Sequence, residues 1–246
     1  MEMIMKEKIK HLFPSKGNSA GSGLMALYRK EMADHIRSRR FLIVLALILI
    51  TSFASIYGAL SGLKDAISAD PDFIFLKLFT LSGDSIPSFT SFIALLGPFV
   101  GVTLGFDAIN SERSEGTLNR LVSQPIYRDA VINGKFLAGA TIIFIMVFSM
   151  GLIISAVGLL TTGIPPSTEE TGRLLAYLIF TGIYISFWLA LSILFSVLCR
   201  HAATSAMAVI GIWIFFALFM SLVVSIVVDF LYPVEKMTTM GDLINS

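Results

Sequence analysis

DAINSERSEGTLNRLVSQPIYRDAVINGK, residues 107–135, is the longest polar segment lying between hydrophobic runs of membrane-crossing length. It carries four basic residues (Arg113, Arg120, Arg128, Lys135) and four acidic ones (Asp107, Glu112, Glu115, Asp129). The stretch is too short and too polar to bury a core of its own. Held at one face of a membrane domain, it reads as a docking element for a soluble partner.

On either side of it the chain turns apolar. Five hydrophobic segments cover residues 41–63, 87–106, 136–162, 174–198 and 202–230. Each is long enough to cross a hydrocarbon core of about 30 Å at about 1.5 Å per residue. The last two are separated only by Cys199-Arg200-His201, which predicts a tight helical hairpin. Composition agrees: of 246 residues, 55% are hydrophobic and 14% charged, with a mean hydropathy of +0.82. A soluble domain carries roughly a quarter charged residues. The expected fold class is therefore all-α, a polytopic helical membrane protein with an amphipathic N-terminal helix and five transmembrane helices.

Residues 1–23 are polar and basic and end in KGNSAGSG, which predicts a flexible lead-in. They do not read as a secretory signal, because the first apolar run starts only at Phe41 and lacks a small-residue cleavage site behind it. Residues 24–40, LMALYRKEMADHIRSRR, predict an interfacial helix. Leu24, Tyr28, Met32 and Ile36 recur every fourth residue, with Arg29, Lys30, Asp34 and Arg37 facing elsewhere. The membrane domain then runs over 24–230, with a polar tail at 231–246.

Loop charge sets the expected orientation. The N-terminal region holds nine of the eighteen Lys and Arg residues, and the 107–135 loop and the 199–201 turn add five more. By contrast the 64–86 loop has two basic residues against four acidic, and 163–173 has one against two. The alternation puts the N-terminus and the 107–135 loop in the cytoplasm and the tail outside. In the 64–86 loop, PDFIFLKLF is apolar enough to lie against the outer interface or the bundle. In the 163–173 turn, Ser167 or Thr168 is a candidate cap for the fourth span.

Gly97, Gly101 and Gly105 form a stripe of small residues on the second span, beside Pro98. Such a stripe lets two helix backbones approach closely in lipid. It serves either packing within one subunit or an interface or pathway between subunits. Gly58 and Gly62 form a weaker pair on the first span.

Several chemistries are excluded. Ionisable residues are nearly absent inside the spans. Asp107, Lys135, Arg173, Arg200 and Asp229 fall at predicted ends, where they reach headgroups or water. His11, His35 and His201 lack metal-ligand spacing, one cysteine leaves no disulfide or cysteine cluster, and the eleven methionines form no regular ladder. There is no HExxH, no GxSxG and no Walker A pattern. The net charge of +1 offers no broad basic face for nucleic acid. The chain is expected to be neither an enzyme nor a cofactor or metal protein, so any driving energy comes from another subunit.

Within the polar stretch, an acidic residue (Glu112) precedes Glu115-Gly116-Thr117-Leu118, then Leu121, Pro125, Arg128 and Gly134-Lys135. This ordered pattern resembles the cytoplasmic loop of ABC type-2 (ABC-2 family) transporter permease subunits. The chain is similar to permeases of gliding-motility and nitrous-oxide-reductase maturation type exporters. The resemblance extends over essentially the whole chain. The family usually has six spans with both termini in the cytoplasm; VEKMTTMGDLINS reads as the approach to a sixth, which either lies beyond Ser246 or is lost.

The resemblance implies a permease in the plasma membrane of a prokaryote, paired with a second permease copy or a paralogue. A cytoplasmic ABC ATPase subunit hydrolyses ATP and drives substrate movement, by analogy export. A coupling helix over about 108–122 would seat on that ATPase. Glu112, Arg113, Ser114, Glu115, Gly116, Thr117, Leu118 and Leu121 are its candidate contact residues. The charged side chains would pair with partner groups, Leu118 and Leu121 would supply buried anchors, and Gly116 would permit a bend. Arg128 and Lys135 would anchor the third span at the headgroups. A non-transporting scaffold or regulatory subunit that docks an ATPase is the alternative. An intramembrane enzyme is disfavoured by the absence of any ionisable pair within the spans.

Overall fold

Long apolar runs without competing polar groups leave the backbone one economical way to satisfy its N–H and C=O groups in lipid, the α-helix. The computed structural model describes residues 19–69, 73–83, 85–116 and 128–231, and among these every regular element is helical. In chain order they are α1 (Ser19–Arg37), α2 (Arg39–Ala69), α3 (Ile74–Thr80), α4 (Phe89–Gly105), α5 (Asn110–Ser114), α6 (Arg128–Thr162), α7 (Thr168–Leu198) and α8 (Ala202–Leu231). Five of them, α2, α4 with α5, α6, α7 and α8, are long and apolar enough to cross a membrane. The protein is an all-α, multi-pass membrane protein. The chain divides into two units, Met1–Val209 and Ile210–Ser246.

In the first unit, α1 is separated from α2 only by Ser38. Helix α1 starts earlier than the residue pattern suggested, and its buried face is turned relative to the apolar stripe. Leu27 and Glu31 are the buried positions, whereas Ile36 is 52% exposed. The inward face of α6 is written at helical spacing, as Ile142, Ile143, Met146, Val147, Met150 and Ile154, all buried. Ile145 and Leu152 point outward, as lipid-facing residues do.

Between helices in lipid there is no hydrophobic drive, so close packing at small residues takes its place. A Cβ placed on Gly101 would lie 2.7 Å from the Leu189 backbone nitrogen and 2.8 Å from the Ile185 carbonyl oxygen. Gly97 faces Ile185 and Tyr184, and Gly105 faces Ser192 and Leu189. The glycine stripe thus lies against α7 of the same chain, and α4–α7 is the most extensive helix pairing. Helix α4 is continuous through Pro98. Gly139 and Gly151 on α6 receive Leu189 and Leu178 from α7, while Gly182 on α7 receives Phe144 from α6.

Two helix starts are capped by serine. The Ser88 hydroxyl accepts from the Ser91 N–H, and Ser167 forms a capping box with Glu170 at the start of α7. Of the two candidate caps for the fourth span, Ser167 is the one used. The PDFIFLKLF stretch also resolves in favour of the bundle: its described part forms α3, with Phe75, Leu78 and Phe79 buried.

Helix α8 belongs to the first unit as far as Val209, with Ser205 and Val209 fully buried. In the second unit the described part of this helix is apolar except for Ser221, Ser225 and Asp229, which recur every fourth residue, and Phe215 stacks on Phe219 with ring centroids 4.5 Å apart.

Candidate functional site

The second span does not run straight out of the bundle. After a turn at 106–109 the chain makes the five-residue helix α5, then Glu115 and Gly116. Gly116 has φ +70, a left-handed conformation that ends the helix and that glycine adopts without steric cost. A side chain there would meet open space, so backbone angle alone makes the demand.

Four elements brace this short helix. From α7, the Ser196 hydroxyl accepts from the Ile109 N–H at 3.0 Å and the Asn110 N–H at 3.3 Å. Arg113 Nη1 donates to the Cys199 carbonyl at 3.2 Å, placing a cation where the last carbonyls of α7 concentrate negative charge. From α2, Arg40 pairs with Asp107 and lies 5.1 Å over the Phe106 ring. From α1 and α6 comes a cluster of charges at Glu112.

In that cluster Lys135 Nζ lies 2.8 Å from Glu31 Oε1 and 3.4 Å from Glu112 Oε1. The three side chains are 5%, 9% and 10% exposed. Lys30 Nζ approaches both carboxylates at 3.5 Å from the half-exposed side. Gly134 marks the close approach of α1 along α6: a Cβ there would stand 2.9 Å from Leu27 Cδ2, so the Leu27 side chain would have to turn aside. The Tyr28 hydroxyl adds a bond to Thr141 at 3.2 Å. Burial alone would lower the Lys30 pKa. The carboxylates of Glu31, Glu112 and Asp34 outweigh that and raise it, which keeps the ammonium charged.

Two expectations are corrected here. Lys135 is not a headgroup anchor but a buried cation linking α1, α5 and α6. Glu112 does not present its carboxylate outward; its side chain is turned into the protein toward Lys135 and Lys30. The exposed tip of α5 consists of Arg113, Ser114, Glu115 and Gly116. Thr117, Leu118 and Leu121 lie outside the described residues, as do Arg120 and Pro125. Glu31 and Ser196 are bracing residues that the sequence pattern did not single out.

His35, half-buried at the edge of the cluster, is not simply solvated. Burial holds its imidazole below the usual histidine value, reinforced by Lys135 and opposed by Glu31, Asp107 and Asp34. A lowered folded-state pKa means that below about pH 6.5 the unfolded chain binds more protons than the folded one. Stability is therefore complete above that pH and declines as pH falls through it. The thermal midpoint in detergent is expected to drop between about pH 7 and 5.5, and to drop less in His35→Gln. An identical pH profile in the two proteins would exclude His35 as a contributor.

No group of three or more His, Cys, Asp or Glu side chains suited to a metal occurs among the described residues. What the site offers is a short, charged helix braced by four elements.

Residues 25–245 match the family described as ABC-2 family transporter protein. The "Probable ABC transporter permease protein NosY" of Pseudomonas aeruginosa is 29% identical over 197 residues, covering 79% of this chain and 66% of the relative. The protein of the same name from Stutzerimonas stutzeri is 27% identical over 200 residues, covering 79% and 67%. The matched region thus spans about two thirds of the length of these relatives. A multi-pass helical bundle matched over nearly its full length identifies the chain as a member of the ABC-2 family of ABC transporter permeases.

Proposed function

We propose that this chain is the membrane subunit through which a separate ATPase drives export of a substrate, and that the α5 tip is where the ATPase docks. The observation that carries the reading is the bracing of α5. A five-residue helix has little stability of its own, yet this one is tied to α1, α2, α6 and α7 while presenting Arg113 to Gly116 to solvent. A push on that tip reaches three spans at once. The uneven loop charge supports a cytoplasmic N-terminus and, with it, a tip that faces the ATPase. The relatives' names support a permease partnered with ABC machinery. A second permease copy, or a paralogue, completes the membrane domain in this reading, and ATP chemistry rests with the partner.

Because Glu112 faces inward, the docking test belongs on the exposed residues. Affinity-tagged wild-type chain is expected to copurify with an ATP-binding subunit, whereas Arg113→Glu/Glu115→Lys retains at least about tenfold less. That factor corresponds to about 1.4 kcal/mol at a central contact. Equal recovery of the ATPase by the double variant, at equal expression and monodispersity, would count decisively against docking at this tip.

A further inference from the structure

About 35 Å along α6 from Lys135, at 1.5 Å per residue, the opposite end of the bundle holds a second construction. Helix α3 does not lie on the surface there. Phe75, Leu78 and Phe79 are 3%, 1% and 2% exposed, and the helix contacts α2, α4, α6 and α7. Gly158 on α6 provides its seat, since a Cβ there would fall 2.2 Å from Leu78 Cδ1. Phe79 meets Phe89 edge to face with centroids 5.8 Å apart. Phe89 in turn lines a small apolar cavity between four spans, together with Ile48, Ser52, Ile93, Val100 and Met150.

One buried carboxylate fastens this helix. Glu170, 7% exposed, accepts from the Phe75 N–H through Oε1 and from the Ser167 N–H through Oε2, each at 2.8 Å. A single side chain therefore ties the start of α3 to the start of α7 by charge-assisted bonds at two ends where helix dipoles favour negative charge. On the other side Lys77 Nζ donates to the Ala66 carbonyl of α2 at 3.1 Å. At the rim, Arg173 lies 4.5 Å over the ring of Phe73, whose backbone is held at φ 53, a left-handed angle unfavourable for phenylalanine. Neighbouring Glu169 pairs only across the exposed surface with Arg173, at 2.6 Å.

We propose that α3 is a plug closing this end of the bundle over the apolar cavity, and that Glu170 is the positioning residue that latches it. The plug is apolar where it meets the bundle, and its start is tied to α7 through one carboxylate. Loss of one carboxylate therefore releases it without dismantling the packing between the spans. This inference stands independently of ATPase docking at the α5 tip.

The test uses cysteine accessibility in proteoliposomes, in a Cys199→Ser background that removes the one native thiol. Ile154→Cys, one turn below Gly158 and at a fully buried position, reports the space beneath the plug. Ala138→Cys, equally buried near the opposite end, reports general loosening. With Glu170 intact, a membrane-impermeant maleimide is expected to leave both unlabelled. Glu170→Ala is expected to raise labelling at residue 154 at least about tenfold, the factor for about 1.4 kcal/mol of lost latch energy, with residue 138 still protected. Glu170→Gln, which keeps one acceptor oxygen, should restore part of the protection, and Glu169→Gln should change nothing. Labelling at both positions, or at neither, in Glu170→Ala would overturn the proposal.

Discussion

Replacing Lys135 by alanine is expected to destabilise the protein by about 3–5 kcal/mol, the cost of leaving a buried ion pair with one partner missing. Without the ammonium, the carboxylates of Glu31 and Glu112 remain buried, with half-exposed Lys30 a shared cation at 3.5 Å. One arm of the bracing of α5 goes with it. A triple variant, Lys135→Met with Glu31→Met and Glu112→Met, removes the charges together and is expected to recover most of the loss. Unfolding free energies in detergent or mixed micelles give the comparison. A Lys135→Ala protein within about 1 kcal/mol of wild type would match an exposed pair instead and contradict burial of the cluster. The contrast between single and triple variants also separates electrostatics from packing, since the alkyl carbons of Lys135 beyond Cβ are lost in one and largely replaced in the other.

The reason Lys135 reads differently in sequence and in structure is geometrical. Its position at the start of an apolar run makes it look like any interfacial lysine, because the helix around it shows no other polar neighbour pointing inward. Its partners are Glu31, 104 residues away in sequence, and Glu112, 23 residues away. Only the packing of α1 along α6 brings them together, and Gly134, which receives Leu27 at that approach, by itself signals nothing. The same limit explains Ser196, whose role depends on the turn at 106–109 folding back against α7. What was legible were features carried by local sequence: span positions from uninterrupted apolarity, a cap at Ser167 or Thr168 ahead of the fourth span, and the α4 glycine stripe from its period of four. The stripe announces that a helix approaches closely, and the structure supplies which one. The reciprocal glycines between α6 and α7 escaped notice because Gly139, Gly151 and Gly182 each accept a single large side chain and share no common spacing.

The approach of α4 to α7 carries the second large expectation. At Gly101 the atoms a Cβ would meet are the Leu189 N and Ile185 O, both backbone, at 2.7 and 2.8 Å, so no rotamer change can make room. Gly101→Ala is expected to cost about 1–3 kcal/mol by forcing the helices apart, and Gly101→Val to sit at or beyond the upper end of that range. Gly139 is the instructive comparison. A Cβ there comes equally close, at 2.7 Å, but to the tip of the Leu189 side chain, which can turn away. Gly139→Ala should therefore be much milder than Gly101→Ala despite the same nominal clash. Gly172, exposed on α7 with nothing within 4 Å, should tolerate alanine and gain up to about 1 kcal/mol of helix propensity. The ordering of the three alanine variants by unfolding free energy is the measurement. If Gly101→Ala proves as benign as Gly172→Ala, the two backbones do not touch as described. A Gly139 variant as damaging as Gly101→Ala would show that the α6–α7 side chains are as unyielding as backbone.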